Sequence, residues 1–142
     1  SLTLMFQREV AERIVARAGD DAYGRLGVFA GWRTDARIAF NVGRQAFVPP
    51  PNVTSAVVHL VPKPVDPDVS VRQLEEVTRA AFGQRRKMVR QSLKATGVPV
   101  EGLLHAGGLK GDERAEELPV DTFLAMARAL PGLRHAPEGG SA

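Results

Sequence analysis

The chain has 142 residues, of which 44% are hydrophobic and 25% charged, enough to bury a core as one domain or as a domain with a further piece. It has no cysteine, which excludes disulfides and thiolate metal sites and is compatible with a cytoplasmic protein. The net charge of +3 and pI of about 9.8 fit nucleic-acid binding. Aromatic residues at 6% are too sparse for a surface that stacks many bases.

Taken in order, Leu2 to Phe6 reads as a short apolar strand. Gln7 to Ala18 is predicted helical, with Val10, Ile14 and Val15 on one face, and Gly19-Asp20-Asp21 is expected to end it. Tyr23 to Gly31 is a second predicted helix with Leu26, Phe29 and Ala30 inward. Arg37 to Val42 alternates like a strand, and Ser55 to Val61 is a β-branched run expected in the core. The last two strands could pair antiparallel.

Between them stands Phe47-Val48-Pro49-Pro50-Pro51. Each proline lacks an N–H and has a fixed φ, so the segment is a stiff, extended loop rather than helix or central strand. It would hold the Phe47 ring at a fixed place, either as a core anchor at a strand end or as a presented aromatic.

Pro62-Lys63-Pro64-Val65-Asp66-Pro67 is a second proline-rich break and the predicted domain boundary. Beyond it only helices are expected. Ser70 caps a helix from Val71, with Gln73 placed for a capping box. Gly97 and Pro99 end that region, and Val100 to Ala106 is a short helix closed by Gly107-Gly108. Asp112 to Glu117 is a turn or short helix. Pro119 opens a last helix to Leu130 with Phe123, Leu124, Ala127 and Leu130 as its apolar stripe. A disordered tail is expected from about residue 131.

On a wheel at 100° per residue, Val71, Leu74, Val77, Ala81, Phe82, Met88, Val89 and Leu93 share one arc. Arg72, Arg79, Arg86, Lys87, Arg90 and Lys94 fall opposite. Cations stacked on one face repel each other, and a phosphate-rich partner would offset that cost. The plain alternative is a solvated surface face. Arg85 points into the apolar arc, so either it is buried against an acid or Gly83 interrupts the helix. The interruption is the favoured reading, and it would place Arg85-Arg86-Lys87 at a helix N-terminus. Arg114 with Glu116 and Glu117 reads as a local ion-pair and turn arrangement. His59, His105 and His135 show no ligand spacing, so no metal is expected. With no apolar run of 18 residues, no membrane span is expected either.

Phe47-Val48-Pro49-Pro50-Pro51-Asn52-Val53-Thr54-Ser55-Ala56-Val57-Val58 resembles a late motif of the rRNA adenine N6-dimethyltransferases, closest to the bacterial 16S rRNA group. Leu4-Met5-Phe6-Gln7-Arg8-Glu9-Val10-Ala11-Glu12-Arg13 is similar to the family's L-M-x-Q-x-E-V-A-x-R. Tyr23-Gly24-Arg25-Leu26, Ala81-Phe82-Gly83-Gln84-Arg85-Arg86-Lys87 with Ser92-Leu93, and Arg114-Ala115-Glu116-Glu117-Leu118 match further pieces in order. The resemblance runs from about residue 2 to about residue 130.

It implies an α/β fold: the closing half of a Rossmann-like methyltransferase sheet over residues 1–62, its final strand antiparallel between its neighbours. A small all-helical RNA-contacting domain would follow over 63–142. It implies S-adenosylmethionine as cofactor of the intact enzyme, with the Gly-rich donor loop and the catalytic N-L-P-Y segment upstream of this chain. The chain is therefore expected to be a C-terminal portion, inactive alone and binding no cofactor. Phe47 matches a ring that stacks on the target adenine. The partner implied is 16S rRNA in the small ribosomal subunit, contacted by Arg72, Arg79, Arg85, Arg86, Lys87, Arg90 and Lys94, and the protein is expected to act as a monomer. Two alternatives are a non-catalytic RNA- or ribosome-binding module and a basic helical domain that binds a protein.

Overall fold

The computed structural model describes residues 1–43, 54–64 and 66–135. The chain divides into two compact units, Ser1–Val65 and Asp66–Ala142.

The first unit is a mixed α/β structure with a small antiparallel sheet. Strand β1 (Leu2–Gln7) runs directly into helix α1 (Arg8–Val15), followed by α2 (Arg25–Arg33), β2 (Thr34–Val42) and β3 (Ser55–Pro62). The strand order is β1-β3-β2, and β3 is antiparallel to both neighbours. Side chains alternate across the sheet, so residues facing one another across strands share a face. Ala56 and Val58 of β3 are buried with Ala36 of β2 and with Ala11 and Ile14 of α1. The opposite face carries a row formed by Met5, Val57 and Phe40, in which Met5 is 54% and Phe40 58% exposed.

The end of α1 and the buried face of α2 differ from the sequence reading. Helix α1 stops at Val15 and Ala16 is already extended, because Asp20 turns the chain back by accepting from the Arg17 N–H. Helix α2 buries Val28 and Trp32, while Leu26 is exposed. The reason is Gly27: a Cβ there would lie 3.1 Å from the Arg13 carbonyl oxygen and 3.2 Å from that of Ala16. The glycine side of α2 is thus its contact side, which carries Tyr23 and Val28 inward with it. Burial raises the Tyr23 hydroxyl pKa well above its ordinary value.

Among its described residues the second unit has no strand. Helix α3 (Val71–Gly83) begins with a complete capping box, Ser70 accepting from the Gln73 N–H and Gln73 from the Ser70 N–H. It is followed by α4 (Val89–Ser92), a 3₁₀ turn (Leu93–Thr96), α5 (Val100–Gly107), a second 3₁₀ turn (Ala115–Glu117) and α6 (Val120–Arg134). Gly97 and Gly108 end their elements in the left-handed region, at φ of 76° and 67°. Helix α6 packs against α3 and α5, and Phe82 stacks on Phe123 at 5.4 Å. Met126 is buried in this core beside Phe123, Ala127 and Leu130, whereas Leu124 is only half-buried.

Residues 131–134 are not the tail expected from 131, because α6 continues through Pro131 to Arg134. A proline in the last turn removes one backbone hydrogen bond. That turn is instead anchored by tertiary contacts: Arg134 reaches Glu76 at 2.9 Å, and Leu133 occupies the space where a Gly102 side chain would be.

Candidate nucleic-acid interface

The predicted basic residues do not share one helix face. Helix α3 ends at Gly83, Gln84 leaves helical geometry (φ −128°, ψ 68°), and the chain turns through Arg85, Arg86 and Lys87 before α4 starts at Val89. The wheel drawn through Lys94 is therefore valid only as far as Gly83. Arg72 and Arg79 belong to α3, Arg85 to Lys87 to the turn, Arg90 to α4, and Lys94 to the 3₁₀ turn.

Their partners differ as well. Arg79 pairs with Glu75 one helical turn back. Arg85 faces Glu116 at 4.0 Å, so that carboxylate pairs with the turn rather than with its sequence neighbour Arg114. Lys94 donates to the Gln91 side chain at 3.2 Å. Arg90 donates to the Lys110 carbonyl at 2.6 Å and pairs with Glu101. Among the described residues no side-chain hydrogen bond or ion pair engages Arg72, Arg86 or Lys87, and all three are exposed.

The turn is held from behind. Val89 N–H donates to the Glu113 carbonyl at 2.7 Å and Arg90 N–H to that of Gly111 at 3.1 Å. These bonds satisfy two donors that the first turn of α4 would otherwise leave free. The Glu113 carboxylate accepts in turn from the Lys110 N–H at 3.0 Å and the Gly111 N–H at 2.8 Å. Partial burial opposes its charge, but these backbone donors and the Lys110 charge outweigh that and lower its pKa below the ordinary value. Sequence periodicity missed Glu113, because its role depends on a contact with residues more than twenty positions earlier. Met88, at the junction of turn and helix, is 52% exposed beside the two cations.

Phe47 lies outside the described residues. The two ends of its loop do not. Val42 and Gln7 both pair with Ser55, and Arg8 N–H donates to the Thr54 carbonyl at 2.9 Å. The loop over 43–54 therefore leaves and rejoins the sheet beside the carboxyl end of β1. Ligands of open α/β sheets bind beyond the carboxyl ends of the strands.

No group of three or more metal-ligating side chains stands together among the described residues, and no helix there is long and apolar enough to cross a membrane. Among the described residues no strand leads into a helix through a Gly-rich turn either: β1 passes into α1 at Gln7-Arg8 without a glycine. The described residues thus do not fit a donor-binding loop of the kind that cradles a nucleotide.

A sequence model of the ribosomal RNA adenine dimethylase family matches residues 1–131. The chain belongs to that family. It is 60% identical over 134 residues to Ribosomal RNA small subunit methyltransferase A of Xanthobacter autotrophicus, covering 94% of this chain and 46% of that protein. It is 56% identical over its whole length to the protein of the same name from Azorhizobium caulinodans, covering 49% of it. The chain thus spans about half the length of these curated relatives. Among solved structures it is similar to a dimethyladenosine transferase from Plasmodium falciparum, with a TM-score of 0.76 and 26% identity over 87% of this chain and 55% of that one. Its fold is also like that of the 23S rRNA methyltransferase ErmE, with a TM-score of 0.60 at 21% identity over 91% of this chain and 54% of that one.

Proposed function

We propose that this chain is the substrate-side portion of an S-adenosylmethionine-dependent rRNA adenine N6-dimethyltransferase acting on 16S rRNA of the small ribosomal subunit. The observation that carries this reading is the 60% identity, over 94% of the chain, to a relative named for small-subunit rRNA methylation. The methyl donor would be held by the part of the relatives' length that this chain does not span.

The first unit is the closing part of a Rossmann-like sheet. Two features support this. The Met5, Val57 and Phe40 row leaves an apolar strip on the face away from α1, and sheets of this class are covered on both faces. Leu2 and Leu4 on the edge strand β1 are exposed too, as expected of a strand that has a further neighbour in the whole protein.

The target N6 amine is a weak nucleophile, since its lone pair is delocalised into the ring. The base must leave its stack for the reaction to reach that amine. The Phe47 ring, on a triple-proline loop sprung from the carboxyl end of the sheet, stacks on the extruded adenine. One such contact is worth about 1–3 kcal/mol.

The second unit is an all-helical RNA-contacting domain. Arg72, Arg86 and Lys87 contact phosphates directly, with Arg79, Arg85 and Lys94 adding charge beside them and Arg90 positioning the basic turn. The protein works as a monomer. Calorimetric titration of the 142-residue chain with S-adenosylmethionine tests the division of labour. No heat of binding is expected, and micromolar binding would overturn it.

A further inference from the structure

The second unit contains a cavity of about 450 Å³. That is within the roughly 300–1,000 Å³ of small-ligand sites. Its walls include Glu76, Arg79 and Gly83 of α3, Gln84 just after it, Ser92 from α4, and Arg134 from the end of α6. Ala80 and Ala95 give it apolar surface.

Three features suit it to a nucleobase. The Ser92 hydroxyl is buried, in a residue only 2% exposed, and has no hydrogen-bond partner. An unsatisfied buried hydroxyl costs about 1–3 kcal/mol, which a ligand group reaching it would recover. The Gln84 amide, exposed on the rim, offers one donor and one acceptor edge, the pattern that reads bases. Arg79, paired with Glu75, and Arg134, paired with Glu76, bring guanidinium planes, on whose faces unstacked bases lie. The phosphate side is supplied by sequence adjacency. Arg86 and Lys87 follow Gln84 by two and three residues, within about 7–11 Å of chain.

We propose that this cavity takes one unstacked base of the RNA whose phosphates the basic turn engages, as a second nucleotide site separate from the target-adenine site of the Phe47 loop. This rests on the RNA-binding reading above. The Arg86 and Lys87 side chains hold the backbone on either side of that nucleotide. The base enters past Gly83 with its edge toward Gln84 and Ser92.

Gly83 supplies the decisive variant, because a Cβ placed there meets no atom within 4 Å. Gly83→Leu adds bulk at the cavity wall from a Cβ that meets nothing, and replaces a poor helix former. Ser92→Ala removes a hydroxyl that has no partner, so neither variant should melt below the parent.

The ¹⁵N-labelled chain is titrated with adenosine 5′-monophosphate and, separately, with inorganic phosphate, following amide shifts. Saturable shifts at Ala80, Gly83, Ser92 and Ala95 with the nucleotide are expected. Affinity should fall at least tenfold in Gly83→Leu and severalfold in Ser92→Ala, at unchanged melting temperature. The same shifts with phosphate alone, shifts elsewhere, or nucleotide affinity unchanged in a folded Gly83→Leu variant would overturn the proposal. Salt-dependent rRNA binding by the parent is measured alongside. If it persists while the cavity stays silent, the second site falls and the RNA-binding reading stands. If it is absent, both fall.

Discussion

Arg90 lies so close over Gly111 that a Cβ on the glycine would sit 2.6 Å from the Arg90 Nη2 atom. Gly111 also has φ of +111°, where other residues are strained by about 1–3 kcal/mol. The pair locks the Lys110–Glu113 loop onto the start of α4. Gly111→Ala should therefore destabilise the second unit by at least that amount in a denaturant titration. In an Arg90→Ala background the added cost should shrink to the backbone strain alone. Equal costs in the two backgrounds would show that the guanidinium is not what excludes the side chain.

The capping box of α3 makes a separate prediction. Ser70 accepts from the Gln73 N–H at 3.1 Å, so Ser70→Ala frees a donor at the helix start. A loss of about 0.5–2 kcal/mol is expected by urea unfolding. Ser70→Asp should recover most of it, since its carboxylate can accept the same bond.

Acid should weaken the second unit in part through Glu113. Its folded pKa lies below the ordinary 4.5, so its contribution is fully present above that value and is lost as pH falls through the folded pKa. Asp66 behaves in the same direction, lowered chiefly by the Arg128 side chain and then by the Asp68 N–H. Melting temperature followed from about pH 6 to pH 3 should decline. Glu113→Gln should start lower and decline less steeply. An unchanged pH profile in that variant would remove Glu113 from the account.

Phe47 is tested in the full-length protein. Phe47→Ala should lower turnover of small-subunit rRNA methylation by about tenfold or more, the equivalent of one lost base-stacking contact, with little change in melting temperature. Phe47→Trp should keep part of the activity. Unchanged turnover in Phe47→Ala would make the ring an ordinary core anchor.

Local signals carried much of this fold in the sequence. Ser70 with Gln73, the terminating glycines Gly97 and Gly108, and the break after Gly83 all act within a few residues, so spacing reveals them. The resemblance to rRNA adenine dimethyltransferases added the placement of β3 between β1 and β2, antiparallel to both. What spacing could not show was set by distant partners. Leu26 looked inward because periodicity counts apolar side chains, whereas α2 docks on the bare backbone of Gly27. Arg90 looked like a free cation because Glu101, Lys110 and Gly111 lie eleven to twenty-one residues away. Pro131 looked like a stop because the anchors of the last turn, Glu76 and Gly102, belong to other helices.

The most direct test of the central claim is the salt dependence of binding between the 142-residue chain and small-subunit rRNA, measured for the parent and for a variant with Arg72, Arg86 and Lys87 all changed to Ala. Each phosphate contact should contribute a slope of roughly −0.7 to −0.9 in log affinity against log salt. The account predicts binding at low salt that weakens steeply with salt, a slope flatter by about two to three units in the variant, and little change in sequence preference. Absence of binding at low salt, or a slope that the triple substitution leaves unmoved, would contradict it.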